Sequence, residues 1–166
     1  MKIITSIGVS ALFLTLAACD ANPAKGKTQA TTAEAVATVA PPASATKYVF
    51  SNTDSKIDFV GAKVTRKHDG SFQAFTGTVS LVGNDPEKSS VSTEIDVGSL
   101  RTDEEKLTGH LKTADLLDVA KYPKATFVST SIKAGGEKGA THTVTGNLQL
   151  HGVTKAISFP ALIKQS

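Results

Sequence analysis

The sequence predicts an all-β fold with one short helical insertion, and three observations support this class. Several stretches alternate apolar and polar residues with the two-residue period of half-buried strands. Turn-forming pairs such as Asp69-Gly70 and His151-Gly152 separate these stretches. A single capped segment carries apolar residues at helical spacing instead. About seven strands, mostly in hairpin order, are typical of an antiparallel sandwich or barrel.

The strand pattern is clearest in three segments. In 91–97 the odd-numbered residues are apolar or Thr, and the even-numbered residues are Ser, Glu and Asp. In 126–132 the pattern predicts that the even-numbered residues, including Ile132, lie on one face of the strand. Phe127, Ser129 and Ser131 are predicted to lie on the other face. In 143–150 the even-numbered residues are apolar or Gly. Four further segments show the same period: Tyr48–Phe50, Lys56–Thr65, Phe72–Val82 and Lys155–Ile163.

One segment departs from this pattern and predicts a helix from Asp103 to about Lys112. Thr102 and Glu105 have the spacing of a capping box, and the acidic residues of the first turn favour the helix dipole. The predicted apolar face comprises Leu107, His110, Leu111 and Ala114. A second short apolar turn, Leu116-Leu117, follows. We expect this insertion to cover a barrel mouth or to pack across one face of the sheet.

The N-terminus predicts an exported lipoprotein. A mostly apolar run from Ile3 to Leu16 follows Lys2, and it is too short to span a bilayer stably. The sequence Leu16-Ala17-Ala18-Cys19 then resembles the lipobox of bacterial lipoproteins, in which the chain is cut before the cysteine and the thiol is acylated. The alternative is an ordinary signal peptide with a chance cysteine. Cys19 is the only cysteine of the chain, so it cannot form an intramolecular disulfide.

We therefore expect three regions: a signal peptide at 1–18, a lipidated Cys19 with a disordered tether through residue 46, and a β-barrel domain at 47–166. The tether is rich in Ala, Thr and Pro, and its end-to-end distance is about 30 Å. The expected location is the periplasmic side of the bacterial cell envelope. Asp20 resembles the inner-membrane retention signal of proteobacteria and slightly favours that membrane.

Composition and spacing argue against several other functions. The formal net charge is +3, which does not indicate a nucleic-acid partner. The four histidines, at positions 68, 110, 142 and 151, show no short metal-ligand spacing. His68 and His142 lie in polar sequence and are predicted to be solvated. The acidic run at 103–105 is explained by the helix start, and no catalytic or cofactor-binding motif is evident, so we expect a non-enzymatic protein.

Two longer motifs resemble the YceI-like family. They are Asp115–Phe127, with the sequence DLLDVAKYPKATF, and Val144–Lys155, with the sequence VTGNLQLHGVTK. Supporting matches lie at Ile57–Val64 and Phe75–Val79, and the resemblance spans Lys47 to Ala161 in family order. It implies an exported lipocalin-like antiparallel barrel that binds a polyisoprenoid or related long-chain lipid in an apolar cavity. A barrel of about eight strands is wide enough for one slender ligand.

On this resemblance we predict nine cavity residues, each of which could instead serve core packing: Phe59, Phe72, Phe75, Leu107, His110, Leu111, Leu116, Leu117 and Phe127. His110 is either a core histidine or a contact to a polar head group. No cofactor is expected apart from a bound isoprenoid or fatty-chain lipid. The expected partners are that lipid and the membrane, through Cys19, and a homodimer is left open.

The chain departs from the family in two respects. Leu116-Leu117 replaces a pair of phenylalanines, which changes one wall of the cavity. The chain also stops at Ser166, before the final hairpin that closes the family's barrel, so we expect Lys155–Ile163 to be an unpaired edge carrying Pro160. A shortened member, a truncated product and a domain completed by a partner all fit. The alternative function is an envelope interaction protein that pairs through this edge.

Overall fold

The computed structural model describes residues 30–63, 66–137 and 139–164. The chain contains one short 3-10 turn, at Val97–Ser99, and one α-helix, α1, at Glu105–Leu111. Strands make up the remaining regular structure among the described residues. The strands are β1 Thr31–Glu34, β2 Thr46–Ser51, β3 Ile57–Lys63, β4 Arg66–Phe72, β5 Phe75–Val82, β6 Asp85–Asp96, β7 Leu100–Thr102, β8 Lys124–Ala134, β9 His142–Leu150 and β10 Val153–Ala161. The predicted signal peptide, Cys19 and the first part of the tether lie outside the described residues.

The strands form two antiparallel sheets, which confirms the predicted fold class. The large sheet has seven strands in the order β1-β10-β9-β8-β6-β5-β2, and the small sheet has the order β3-β4-β7. Consecutive strands pair at β3–β4, β5–β6, β8–β9 and β9–β10, as the hairpin order predicts. No ladder among the described strands joins the two sheets, so backbone pairing does not close the barrel there.

The two sheets meet at a corner, formed by residues 73–74 between β4 and β5 and by 97–99 between β6 and β7. The hydroxyl of Ser99 accepts hydrogen bonds from the backbone N–H of Gln73 and Ala74, at 3.1 and 3.0 Å. The same hydroxyl donates to the carbonyl of Asp96 at 2.6 Å. One side chain therefore holds both bent strands and supplies hydrogen-bond partners for the backbone where the chain passes from one sheet to the other.

The hydrophobic core lies on the large-sheet side of this corner. Val97 and Leu100 flank the bend and are only 1% and 2% exposed. The buried core comprises Phe75, Ile95, Val97 and Ala125, with Phe50, Ile57, Phe72, Leu117, Val119 and Leu150 packed against it. Because this core includes residues from both sheets and from the Leu117 turn, burial of apolar area holds the small sheet against the large one.

Helix α1 is shorter than predicted and starts differently. Its N-cap is Glu104, which makes no side-chain capping bond, so the predicted capping box is wrong. The Thr102 hydroxyl instead donates to the Glu104 carbonyl at 2.7 Å and lies 2.9 Å from the hydroxyl of Thr108. Thr108 is the buried residue of the helix, and its hydroxyl also accepts a hydrogen bond from the backbone N–H of Thr102. Tertiary contact with β7 therefore decided which side of α1 is buried.

Two predictions of strand boundaries and faces are also wrong. Asp69-Gly70 is not a turn but lies inside β4, where Gly70 pairs with Phe59. In β8 a bulge between Ser129 and Ser131 adds one residue, so Ile132 returns to the face of Ser129 and is buried. A bulge shifts the two-residue period by one, which a continuous alternation pattern cannot anticipate.

The segment before the domain also differs from expectation. Thr31–Glu34 was expected to belong to the disordered tether, but it forms β1 and pairs with residues 155–158 of β10. The expectation of an unpaired edge at β10 is therefore wrong for these four residues. An open edge offers a row of free N–H and C=O groups, and the threonines of β1 have high strand propensity. Pro160 lies beyond the paired stretch, where its missing N–H costs no bond to β1.

Ser99→Ala is expected to destabilise the domain by about 1–3 kcal/mol, because it leaves the N–H of part-buried Ala74 without its acceptor, whereas the Gln73 N–H keeps the Ser99 carbonyl. The control is Ser55→Ala, since the Ser55 hydroxyl donates to the neighbouring exposed Asp54. Urea unfolding followed by circular dichroism measures both variants. Equal unfolding midpoints for the two would contradict the role of Ser99.

Candidate functional site

The register of the large sheet defines one continuous inner face, which carries the core. One row of this face runs across five strands: Phe50, Gly77, Thr93, Phe127 and Leu148 are successive cross-strand partners. Aromatic residues therefore lie at two positions of the row, with a glycine and a threonine between them. The Phe50 ring covers Gly77, so a shallow trough remains only at Thr93, between the two rings.

Glycines let the aromatic rings of this face lie directly against the sheet. A Cβ on Gly77 would lie 2.1 Å from the Phe50 ring, and a Cβ on Gly146 would lie 2.4 Å from the Phe127 ring. In the small sheet, a Cβ on Gly70 would lie 2.2 Å from the Phe59 ring. Each ring thus occupies the space of a missing side chain, which is why glycine is needed inside these strands.

The candidate aromatic residues fall into two groups. Phe59 and Phe72 lie 5.7 Å apart between ring centroids on the small sheet, and Phe72 packs against the core that contains Phe75. Phe127 instead pairs with Phe159, at 5.8 Å. All of these rings except the buried Phe75 are only half-buried. Half-buried aromatic faces are available for an apolar ligand.

The candidate residues from the helical insertion do not form one buried group, because only Leu117 packs against the core. Leu107, Leu111 and Leu117 are half-buried, and Leu117 packs against the core. His110 is exposed, so its interpretation as a core histidine is wrong, and contact with a head group stays a prediction. Leu116 is 41% exposed and is not part of the core. The helical spacing placed these residues on one face, but the Thr102–Thr108 contact turned that face partly to solvent.

Three grooves in the described part of the chain contain some of the nine candidates. The largest, of about 740 Å³, has a mainly polar lining on the small sheet and includes Phe59. A second, of about 310 Å³, includes Phe127 but is lined mainly by residues on the face of the large sheet opposite the core, such as Val49 and Val128. A third, of about 290 Å³, includes Phe72 and Phe75. Each groove contains at most two of the nine residues, so their gathering into a single cavity stays a prediction.

Phe50 and Phe159 complete the aromatic lining of the inner face; the sequence predicts that both point inward, but they are not among the nine predicted cavity residues. A signal was available in the sequence, because Gly77 and Gly146 interrupt otherwise regular strand patterns. Glycine inside a strand indicates the close approach of another group. Which aromatic ring makes that approach depends on register, which alternation alone does not supply.

Three of the four histidines have a side-chain partner. His68 Nδ1 lies 2.9 Å from Asp103 Oδ1 and its side chain is 24% exposed, so His68 is only partly solvated and has a side-chain partner that the sequence did not predict. This hydrogen bond is the main reason that the pKa of Asp103 lies below its ordinary value. His142 Nδ1 lies 2.8 Å from the Thr141 hydroxyl, and His151 packs edge-on against Tyr122 at 4.8 Å.

Lys112 connects the helical insertion to the corner. Its ammonium donates to the carbonyl of Gly98, at 2.5 Å, in a part-buried position. Burial lowers the pKa of Lys112, and the neighbouring charge of Arg101 lowers it further. The contact fixes the end of α1 beside the bend, although nothing in the sequence pattern singled this lysine out.

Two further features, a metal-binding cluster and a membrane-spanning helix, are absent from the described residues. No cluster of three or more His, Cys, Asp or Glu side chains there could hold a metal ion. Within residues 30–63, 66–137 and 139–164, no helix has the length and apolar character needed to cross a membrane.

Gly146→Ala is expected to destabilise the domain by about 1–3 kcal/mol, because the new methyl group meets both the Phe127 ring and the Val128 carbonyl, at 2.4 and 2.6 Å. Gly109→Ala is the matched control in α1, where nothing lies within 4 Å of the new methyl group. It should stabilise by about 0.5–1 kcal/mol, since alanine favours the helix. Thermal unfolding of both variants tests these opposite signs, and a neutral Gly146→Ala would contradict the close approach.

His68→Ala is expected to raise the pKa of Asp103 towards its ordinary value, because the main cause of the lowering is removed. A lowered carboxyl pKa stabilises the fold above the unfolded pKa of about 4, and this contribution disappears as the pH falls through the folded pKa. Carboxyl NMR titration measures the shift. Asp54 is the internal control, because its low pKa depends on the Ser51 backbone, and an unchanged Asp103 would contradict the pairing.

Proteins of two Pseudomonas species are similar to this chain over about half of their length. A UPF0312 protein of Pseudomonas syringae pv. tomato is 44% identical over 108 residues, which cover 65% of this chain and 54% of that protein. A UPF0312 protein of Pseudomonas putida is 45% identical over 92 residues, covering 55% and 47%. The chain therefore spans about half the length of the curated relatives it matches.

Two solved structures share the architecture. The crystal structure of Burkholderia cenocepacia BcnA has a TM-score of 0.52 at 28% identity, covering 59% of this chain and 60% of that chain. A polyisoprenoid binding domain from Saccharophagus degradans has a TM-score of 0.50 at 20% identity, covering 72% and 70%. The YceI-like domain family matches residues 48–166, which is most of the chain. The antiparallel sheets, their corner and this match together establish that the chain belongs to the YceI-like family.

Proposed function

We propose that this protein binds a polyisoprenoid or similar long-chain amphiphile on the inner face of its large sheet. The observation that carries the proposal is the half-buried aromatic lining around the trough. Phe50 and Phe127 lie three strands apart, or about 14 Å. The Phe50 ring covers Gly77, which leaves Thr93 as the small residue between the two rings. A slender apolar chain would find a ring surface on either side of Thr93.

The small sheet supplies a second apolar surface for the same ligand. The corner at Ser99 brings Phe72 against the core, and Phe59 extends this surface away from the core. A ligand between the two sheets would bury apolar area at about 25 cal/mol per Å², which is sufficient driving force for a lipid chain. The neighbouring Saccharophagus degradans domain is named as polyisoprenoid-binding, and its shared fold supports this class of ligand.

The same proposal includes a membrane tether. Cleavage before Cys19 and acylation of its thiol would hold the protein on the periplasmic side of the cell envelope, with Asp20 favouring the inner membrane. Several acyl chains hold a protein on a bilayer stably, whereas one chain holds it only reversibly. A lipid-binding domain held in this way stays close to the source of its ligand. The proposed role is that of a carrier or reservoir, with neither catalysis nor a cofactor.

Natively purified protein is expected to carry lipid, detected by mass spectrometry of organic extracts, and Thr93→Phe should remove most of it. The new ring fills the trough floor without deleting an existing apolar contact. Thr76→Phe is the matched control, because Thr76 is exposed on the opposite face of the same sheet. It should retain the lipid. Phe127→Asp should also lose the lipid, provided that circular dichroism shows a folded protein.

Two results would contradict the proposal. A Thr93→Phe variant that keeps as much lipid as the wild type would place the ligand elsewhere. An empty wild-type protein that dimerises with increasing concentration would favour the interaction protein that pairs through an edge strand.

A further inference from the structure

The chain enters the domain at one defined end of the large sheet. β1 begins at Thr31, which pairs with Ser158 of β10. β10 then continues to Ala161, opposite His142 at the start of β9. Thr31 therefore lies near the end of the sheet where β8 connects to β9.

We call this end the hairpin end. It also contains the β5–β6 turn at Gly83-Asn84, the start of β2 at Thr46 and the segment 162–164. A hydrogen bond from the backbone N–H of Ala134 to the Glu87 carboxylate, at 2.7 Å, links the end of β8 to the start of β6. The opposite end carries the corner, α1 and the β9–β10 turn. The nine residues of β9 separate the two ends by about 27 Å.

Three contacts hold β1 on the sheet. Its four residues form a ladder with β10, and Lys155 forms an ion pair with Glu34. Asn147 of β9 also bonds both backbone groups of Val36, accepting the N–H at 3.1 Å and donating to the carbonyl at 2.6 Å. The side-chain amide of Asn147 thus fixes the chain just after β1. Ala156, the cross-strand partner of Ala33 in this ladder, is only 4% exposed.

We infer that the hairpin end is the membrane-facing surface of the domain and that β1 holds it close to the bilayer. This inference rests on the proposed attachment at Cys19. With β1 paired, the 11 residues 20–30 connect Cys19 to the sheet and can reach at most about 40 Å. Without β1, the 26 residues 20–45 would connect Cys19 to β2 and could reach at most about 90 Å. Pairing of β1 therefore more than halves the distance by which the hairpin end can move away from its attachment point.

The chemistry of the hairpin end fits a phospholipid surface. Leu162 is 59% exposed there, and Lys133 and Lys164 are exposed nearby. Of the acidic residues at this end, Asp85 pairs with Lys88 and Glu87 accepts the N–H of Ala134, while Glu137 is exposed. An apolar side chain can enter the interfacial region, and exposed lysines are attracted to phosphate head groups. The partner assigned to this surface is therefore a phospholipid bilayer.

The orientation can be measured without relying on acylation in the cell. The chain from Cys19 onwards is coupled through its single thiol to a maleimide lipid in nanodiscs of phosphatidylcholine and phosphatidylglycerol, with a gadolinium chelate on some head groups. Amide NMR signals of Gly83, Gly136 and Leu162 should be attenuated several-fold more than those of Gly98, Gly109 and Gly152. Equal attenuation at both ends, or stronger attenuation at the corner end, would overturn the inference.

A variant pair tests the part played by β1. Thr32→Pro/Ala33→Pro removes two adjacent N–H groups, one of which must face β10 in an antiparallel ladder. We expect amides of residues 155–158 to exchange at least about tenfold faster and the attenuation difference between the ends to shrink. Ala37→Pro/Thr38→Pro is the control, because these exposed residues lie outside the strands. Unchanged exchange and attenuation in Thr32→Pro/Ala33→Pro would overturn the role of β1.

The failure of this inference is distinguishable from that of the proposed function. Mass spectrometry of Cys19 in membrane-expressed protein tests acylation, and organic extraction tests lipid binding. Neither measurement depends on which end of the sheet faces the nanodisc.

Discussion

The bend at Ser99 is the constraint on which the rest of the structure depends. Its hydroxyl holds the backbone of 73–74 against that of 96–99, so two neighbouring strands turn together from one sheet into the other. Val97 and Leu100 are then fully buried on either side of the bend. Because both strands bend at the same place, the small sheet lies against the core instead of extending the large one. The helical insertion follows directly and is fixed at the bend by Lys112.

The corner gives the inner face its character as a candidate lipid-binding surface. Aromatic rings from neighbouring strands lie over Gly70, Gly77 and Gly146, where a side chain would collide with them. These positions combine close backbone approach with exposed ring surface. Phe59 and Phe127 remain half-buried, so part of each ring is accessible to an apolar ligand, which suits the proposed binding role.

The edge of the large sheet shows how a segment of low apolar content can still be ordered. Residues 31–34 have no apolar face to bury and are exposed throughout, yet an open strand edge offers them a complete backbone partner. The ladder with β10, the ion pair of Glu34 and the amide of Asn147 together fix the segment. The same arrangement occupies part of the edge through which an interaction protein would pair, and it determines where a tether would leave the domain.

Alternation of apolar and polar residues was sufficient to predict the antiparallel β class, most strands and the apolar faces of β6 and β9, because side-chain direction along a strand depends only on local geometry. The motifs at 115–127 and 144–155 were sufficient to predict the family. Only the tertiary structure decided the corner, the β8 bulge, the buried side of α1 and the pairing of β1. Each of these depends on a hydrogen bond or contact between residues distant in sequence, such as Ser99 with Ala74, which no local pattern encodes. The candidate site divides in the same way. The sequence indicated Phe59, Phe72 and Phe127 as cavity residues and predicted that Phe50 and Phe159 point inward. Only the tertiary structure showed which rings lie against which glycines and that His110 is exposed.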